Sequence, residues 1–158
     1  MKIATNLAQI TANLTQISRI CDEIKHKIAT KSHFIFLLDG DIGAGKTSLV
    51  SAFAKYCGID EGVTSPTFSL LHIYSTHTKN SAKKVDSPLI YHYDLYQKGI
   101  DSAIDLGLLD LLGNEGIHFV EWGDERLLQI LKDAYDNIAI IAIGKIQNAR
   151  IYTIKERF

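Results

Sequence analysis

One stretch constrains this chain more than any other: an apolar run that leads directly into a turn containing three glycines and a lysine. The run Phe34–Leu38 reads FIFLL, and the residues DGDIGAGKTSLV follow it. Such a run is typical of a buried strand, and helically spaced apolar residues return from Leu49 onward. Glycines in a turn cost conformational entropy and fill no space. The order of strand, glycine-rich turn and helix therefore predicts a loop whose backbone comes close to a ligand.

The spacing of Gly40, Gly45, Lys46 and Thr47 matches the pattern of a phosphate-binding loop. Without Cβ atoms, successive N–H groups can point at one anion, and the N-terminus of the following helix adds positive charge. In this pattern the lysine reaches the β- and γ-phosphates and the threonine hydroxyl binds Mg²⁺. The alternative is a glycine-rich turn without a ligand. The predicted nucleotide-binding residues of the loop are Gly40, Asp41, Ile42, Gly43, Ala44, Gly45, Lys46, Thr47 and Ser48.

The size and composition of the chain are those of an ordinary globular protein. Its 158 residues, 46% of them hydrophobic and 22% charged, predict a single domain over residues 1–158. The net charge of −1 supplies no overall attraction to nucleic acid or to anionic membranes. Cys21 and Cys57 show no metal-binding spacing and suit a reducing compartment. Because no apolar run approaches the roughly 20 residues of a membrane span, we expect a cytoplasmic protein.

Apolar periodicity and turn residues predict the remaining elements. In chain order they are a helix over 13–29 capped by Asn13, a strand over 32–38, a helix ending near 57 at Gly58, a strand over 68–74, an exposed hairpin-like loop over 75–87, a strand over 88–96, one or two short helices over 101–113, a strand over 116–122, a helix over 124–132 and two closing strands. This order predicts an α/β fold: a mixed β-sheet like that of P-loop nucleotide-binding proteins, flanked by helices, with an antiparallel hairpin at the C-terminus.

Two acidic residues end predicted strands. Asp94 closes LIYHYD and Glu121 closes IHFVE. If both strands run parallel to the strand before the glycine loop, both carboxylates reach the phosphate edge of the sheet. There one acid can orient Mg²⁺ or its water, and another can position an attacking water. The alternative for either acid is that it caps a following turn. His92 and His118 lie in the same strands, and we interpret both as hydrogen-bonded core histidines.

Several classes of phosphate-binding protein are disfavoured by what the chain lacks. It has no Asn-Lys-x-Asp sequence of the kind that reads guanine. Its four arginines are scattered along the chain and do not form the arginine-rich lid of a small-molecule kinase; they are Arg19, Arg126, Arg150 and Arg157. No motif in the sequence places any of them near the glycine loop.

Five segments in a fixed order resemble one known family. GDIGAGKTSLV, VTSPTFSL, YHYDLYQKG, DLGLLDLL and VEWGDE are similar to segments of the TsaE (YjeE-type) ATPases of bacterial tRNA threonylcarbamoyladenosine biosynthesis, between Phe34 and Glu125. The resemblance implies a compact P-loop domain that binds and hydrolyses ATP with Mg²⁺. It also implies attachment to TsaD-like and TsaB-like partners, so that tRNA is met only through the complex.

The resemblance also implies roles for individual residues. The family's hydrolytic residues correspond to Lys46, Asp94 and Glu121, and its metal-binding residues to Thr47 and Glu121. Thr67 ends a Thr-Ser-Pro-Thr stretch that is similar to the family's switch-like loop near the γ-phosphate. One departure is Gln97, which stands where the family usually has arginine. Two other functions stay open: a stand-alone nucleotide kinase or NTPase of another pathway, and a nucleotide-gated scaffold that binds ATP without hydrolysing it.

Overall fold

A single mixed sheet organises the computed structural model, which describes residues 6–13, 16–59, 66, 69–75 and 89–156. Within these residues the strand order is β1-β7-β6-β2-β5-β4-β3. The strands are β1 Asn6–Ala12, β2 His33–Asp39, β3 Leu71–Tyr74, β4 Ile90–Asp94, β5 Gly116–Glu121, β6 Ile138–Ile146 and β7 Ala149–Glu156. The central strands β6, β2, β5 and β4 are parallel, and the flanking pairs β3–β4, β6–β7 and β1–β7 are antiparallel.

Helices cover both faces of the sheet. They are α1 Ser18–Ile28, α2 Lys46–Tyr56, α3 Gly99–Asp105, α4 Leu108–Leu112 and α5 Glu125–Leu131. Strand β2 alternates between two cores: Phe34 and Phe36 pack with residues of α1 and α2, while Ile35 and Leu37 pack with residues of α3, α4 and α5. A strand buried on both faces is typical of the centre of a parallel sheet. The α/β fold predicted from the sequence is therefore confirmed, and the C-terminal hairpin is present as β6 and β7.

The N-terminal region differs from its prediction. The first helix begins at Ser18, and its N-cap residue is Ile17, which makes no side-chain cap, so the predicted cap at Asn13 is wrong. Ile17 still packs against the core, which explains why apolar periodicity extends beyond the helix start. Residues Asn6–Ala12 form an edge strand that the sequence did not predict, held by antiparallel pairing to β7.

Elsewhere the elements agree with the sequence to within a few residues. The strand predicted over 68–74 covers Leu71–Tyr74. Apart from Ser75, the loop predicted over 75–87 lies outside the described residues. Asp124 caps α5 by accepting hydrogen bonds from the backbone N–H groups of Arg126 and Leu127 at 2.9 and 3.1 Å. No helix among the described residues has the length and apolar character that crossing a membrane requires.

Candidate functional site

The glycine-rich loop connects the carboxyl end of β2 to the first turn of α2. A Cβ atom on Gly40 would stand 2.7 Å from the carbonyl oxygen of Ile143 in β6, so this position excludes any side chain. Gly45 has a left-handed backbone, with φ of 114°, and is the N-cap residue of α2 without a side-chain hydrogen bond. The N-terminal amides of α2 therefore lack the usual side-chain acceptor at Gly45, and a bound anion can take that place.

Lys46 folds back over the loop. Its Nζ donates to the carbonyl oxygen of Gly40 and, at 3.1 Å, to that of Asp41, and it lies 3.6 Å from the ring centroid of Trp122. Only 4% of Lys46 is exposed. Burial lowers its pKa from the ordinary lysine value, and the negative charge of Glu121 opposes that shift. The ammonium group is thus held beside the loop amides, where a phosphate would meet both.

Glu121 links the loop to the neighbouring strand. Its Oε1 accepts one hydrogen bond from the Thr47 hydroxyl and one from His92 Nε2, each at 2.7 Å. The residue is 3% exposed although it ends a strand. In the sheet register Glu121 stands beside Asp94 on one side and Leu38 on the other, because β4, β5 and β2 are parallel. Both predicted acids therefore lie at the edge of the sheet that carries the glycine loop.

Asp94 has a structural role as well as a place in the site. Its Oδ1 accepts a hydrogen bond from the backbone N–H of Tyr96 at 3.0 Å, which stabilises the turn after β4. This is the turn-capping role that the sequence offered as the alternative. The same residue lines a cleft of about 440 Å³. Other residues lining that cleft are Ile42, Gly43, Gly45, Lys46, Thr47, Ser48, Tyr96, Glu121 and Trp122.

The cleft brings most of the predicted site residues together. Gly40, Asp41 and Ala44 belong to the loop but do not line the cleft; Gly40 and Asp41 instead hold Lys46 through their carbonyl oxygens. Thr67 lies outside the described residues, so its predicted contact with the γ-phosphate stays a prediction.

Both histidines are buried and hydrogen-bonded, as the sequence interpretation expected, and one of them, His92, also contacts the site. His92 is fully buried, and its Nε2 bonds the Glu121 carboxylate; within the described residues its Nδ1 has no hydrogen-bond partner. His118 behaves as interpreted, with Tyr93 and Asn114 as partners at 3.0 and 2.9 Å. Strand alternation was the available signal, because it places His92 on the same face of β4 as Asp94.

The C-terminal hairpin supplies a contact that the sequence analysis missed. Arg150 Nε donates to the carbonyl oxygen of Ala44, in the middle of the glycine loop, at 2.7 Å. Lys145 faces Arg150 in the β6–β7 register, and its Nζ lies 3.3 Å from where a Cβ on Gly43 would stand. Arg150 therefore lies beside the glycine loop, where no sequence motif placed an arginine. Arg150 and Ala44 are 106 positions apart, so no local motif reveals the contact.

The donor set beside the loop suits a magnesium–nucleotide complex. Thr47 and Glu121 offer a hydroxyl and a carboxylate oxygen 2.7 Å apart, both hard donors of the kind that Mg²⁺ prefers. Across the described part of the chain, no group of three or more His, Cys, Asp or Glu side chains is arranged to hold a metal. Mg²⁺ commonly uses one or two protein groups together with phosphates and water, and this donor set fits that mode.

Comparison with known proteins identifies the family. A sequence model described as threonylcarbamoyl adenosine biosynthesis protein TsaE matches residues 11–151. The chain belongs to the TsaE family. Proteins named tRNA threonylcarbamoyladenosine biosynthesis protein TsaE are 34% identical to it in Bacillus subtilis, over 70% of each chain, and 31% identical in Haemophilus influenzae, over 76% of this chain and 77% of the relative. In Rickettsia typhi the relative is 38% identical over 60% of each chain, so the match spans under two thirds of that TsaE protein.

A solved structure shares the fold of this chain. The crystal structure of Bacillus subtilis YdiB superposes with a TM-score of 0.63, covering 96% of this chain and 88% of that chain, at 21% identity. The family model and these relatives are named for threonylcarbamoyladenosine biosynthesis, and the cleft described above is the candidate site of a TsaE-family chain.

Proposed function

We propose that this TsaE-family chain binds ATP with Mg²⁺ in the cleft and hydrolyses it as the ATPase subunit of tRNA threonylcarbamoyladenosine formation. The observation that carries the proposal is the convergence of Lys46, Thr47 and Glu121 in one cleft. Lys46 bonds the loop carbonyl groups, and Thr47 is joined to Glu121 at 2.7 Å. A lysine, a hydroxyl and a carboxylate around a glycine loop form the constellation that phosphoryl chemistry requires.

Each group has a distinct task in this proposal. The loop amides and Lys46 bind the phosphates, and Thr47 and Glu121 would hold Mg²⁺, which neutralises phosphate charge when it is bound. His92 donates to Glu121 and keeps that carboxylate oriented toward Thr47. Asp94 faces the same cleft and would orient the attacking water.

Partners complete the proposal. We place TsaD-like and TsaB-like proteins beside the cleft, with tRNA reached only through them. Two large side chains on the cleft rim support this: Ile42 is 68% exposed and Tyr96 is 56% exposed. Exposed apolar groups next to a ligand site are suited to protein contacts. A partner on this rim would sense directly whether the cleft holds ATP or ADP.

The binding half of the proposal is tested by titration of the purified chain with ATP, with and without Mg²⁺. Lys46→Ala should abolish tight binding, because charge-assisted hydrogen bonds contribute about 1.5–3 kcal/mol each. Lys155→Ala is the matched control, since Lys155 is exposed on β7 and lies outside the cleft. Equal ATP affinity in the wild type and in Lys46→Ala would refute phosphate binding by this loop.

The hydrolysis half needs a steady-state ATPase assay on the chain alone and then with TsaD-like and TsaB-like proteins. We expect slow turnover alone and a clear rise with the partners. Fast turnover that the partners leave unchanged would favour a stand-alone NTPase. Tight ATP binding without turnover, even in the assembled complex, would favour the non-hydrolysing scaffold.

A further inference from the structure

The residue that follows strand β5 has a strained backbone. Trp122 has a φ of 63°, in the left-handed region that side chains rarely adopt. Among the described residues the other non-glycine residue with a positive φ is Gln147, in the turn between β6 and β7, where this conformation is common. The Trp122 N–H donates to the Leu38 carbonyl oxygen at 3.3 Å, and a Cβ on Gly123 would stand 3.0 Å from a methyl carbon of Leu37. Strain of this kind persists where the surroundings impose it, and it concentrates at functional sites.

The indole ring of Trp122 lies on the ammonium group of Lys46. Nζ is 3.6 Å from the ring centroid, a separation that places the nitrogen over the face of the ring. An ammonium group has three N–H donors, and the carbonyl oxygens of Gly40 and Asp41 accept two of them. The ring therefore covers the remaining side, and Lys46 is buried although it lines the cleft.

The ring and a phosphate group need the same side of Lys46. The two carbonyl oxygens belong to the loop itself, so a phosphate held by the loop amides reaches the ammonium group where the ring now lies. A phosphate forms charge-assisted hydrogen bonds with an ammonium group, and these are stronger than the attraction of an aromatic face. A bound phosphate therefore competes with the ring and wins.

We propose that Trp122 is a positioning residue that holds the Lys46 ammonium group at the glycine loop in place of a phosphate, and that the ring leaves Lys46 when a phosphate binds. The inference rests on the proposed phosphate binding and adds the side chain that the phosphate must displace.

Displacement of the indole ring reaches the rim of the cleft through Tyr96. The Tyr96 and Trp122 rings are in contact, with centroids 4.9 Å apart and planes tilted by 42°. Tyr96 is exposed, and its backbone N–H donates to Asp94 in the turn after β4. The two rings thus connect the ammonium group inside the cleft to the protein surface. A movement of Trp122 changes the packing of an exposed side chain.

Core packing is the alternative role for Trp122. The ring is half-buried and packs against the core that lies beneath α3, α4 and α5. A residue that only fills space needs neither a contact with a buried cation nor a strained backbone. The two roles predict opposite effects of a smaller side chain. Loss of packing weakens phosphate binding, whereas loss of a competing ring strengthens it.

The first test is a calorimetric titration with two ligands: magnesium tripolyphosphate, which has phosphates but no nucleoside, and MgATP. Trp122→Phe keeps a ring that attracts a cation less strongly, and Trp122→Leu has no ring. Both keep a side chain on the strained backbone. Tripolyphosphate should bind about threefold or more tightly to Trp122→Leu than to the wild type, with Trp122→Phe between them, and MgATP should follow the same order. Tyr135→Leu is the matched control, because Tyr135 is also half-buried but stacks on His33 at the other end of β2.

The second test uses Trp122 as its own reporter, because it is the only tryptophan in the chain. Magnesium tripolyphosphate should raise the acrylamide quenching constant of the wild-type fluorescence as the ring leaves Lys46 for solvent. Lys46→Met removes the cation that holds the ring. This variant should show the higher quenching constant without ligand and should not respond to tripolyphosphate.

The outcomes separate this inference from the proposed function. Tighter binding by Trp122→Leu together with a ligand-induced rise in quenching supports displacement of the ring. Unchanged or weaker binding by the Leu variant, or a quenching constant that the ligand leaves unchanged or lowers, overturns it, while Lys46→Ala still reports on phosphate binding by the loop. If the wild type binds neither ligand, both proposals fail. Thermal unfolding identifies a variant that does not fold, and quenching of the wild type then decides.

Discussion

Arg150→Ala tests whether the C-terminal hairpin holds the glycine loop in its binding conformation. The Arg150 guanidinium donates to the Ala44 carbonyl oxygen at 2.7 Å, and Ala44 is only 2% exposed. A hydrogen bond from a charged donor contributes about 1.5–3 kcal/mol. If the loop needs this bond to keep its shape, the variant should bind MgATP and tripolyphosphate at least about tenfold more weakly.

Two readouts distinguish loop positioning from a general loss of stability. Amide hydrogen exchange of the free protein should become faster at residues 43–45 in Arg150→Ala, while exchange in the centre of β2 stays unchanged. Arg150→Lys keeps the charge but lacks the planar donor, and should recover only part of the affinity. Arg126→Ala serves as the control, because the Arg126–Asp101 ion pair is exposed and should matter little.

The reasoning fails if Arg150→Ala binds both ligands as the wild type does and its loop amides exchange at the wild-type rate. The bond would then be a surface contact without influence on the loop. A uniform rise in exchange over the whole sheet would also count against it, since Arg150 would then support the fold in general and not the loop in particular.

Three further predictions follow from the acids and from two buried histidines. Glu121→Ala should weaken the Mg²⁺ dependence of ATP binding in a titration, whereas Asp94→Asn should keep binding and slow hydrolysis in the ATPase assay; the reverse pattern would exchange their roles. His92→Phe should lower Mg²⁺-dependent affinity, because Glu121 loses a donor at 2.7 Å; unchanged affinity would contradict this. Burial lowers the pKa of His118 to about 4, so stability should fall by about 3 kcal/mol from pH 6.5 to 4 in urea unfolding, and this slope should flatten in His118→Phe.

The sign of the pH prediction follows from which state binds the proton. Between its lowered folded value and the ordinary value near 6.5, His118 is neutral in the folded protein and protonated in the unfolded chain. Acidification through this window therefore favours unfolding. Well above pH 6.5 His118 is neutral in both the folded and the unfolded chain, and no stability is lost through its protonation. An unchanged slope in His118→Phe would assign the acid sensitivity to other groups.

The local signals in the sequence predicted the centre of the site well. The strand before the loop, the loop and α2 are contiguous in sequence, so periodicity and glycine spacing sufficed to place Lys46 and Thr47. Asp94 and Glu121 needed one further assumption, that their strands are parallel to β2, and the sheet register confirms it.

The missed contacts depend on which strands are neighbours. Arg150 reaches Ala44 only because β6 lies beside β2 and turns back as β7, an arrangement that no short motif encodes. Strand β1 was missed for a related reason. It is an edge strand in which Ala12 is buried while Gln9 and Thr11 are exposed, but this alternation uses mostly small and polar residues, so its pairing with β7 decides its structure.

The close approach of Gly40 to β6 makes the C-terminal hairpin and the glycine loop a thermodynamically coupled pair. The Ile143 carbonyl oxygen leaves no room for a Cβ on Gly40, and Arg150 fixes the same loop from the next strand. Coupling of this kind is reciprocal. If the ordered hairpin strengthens ligand binding by a given free energy, then a bound ligand that orders the loop stabilises the hairpin by the same free energy. Local opening of β6 and β7 should therefore become rarer when the loop is filled, although the hairpin carries none of the phosphate-binding motif.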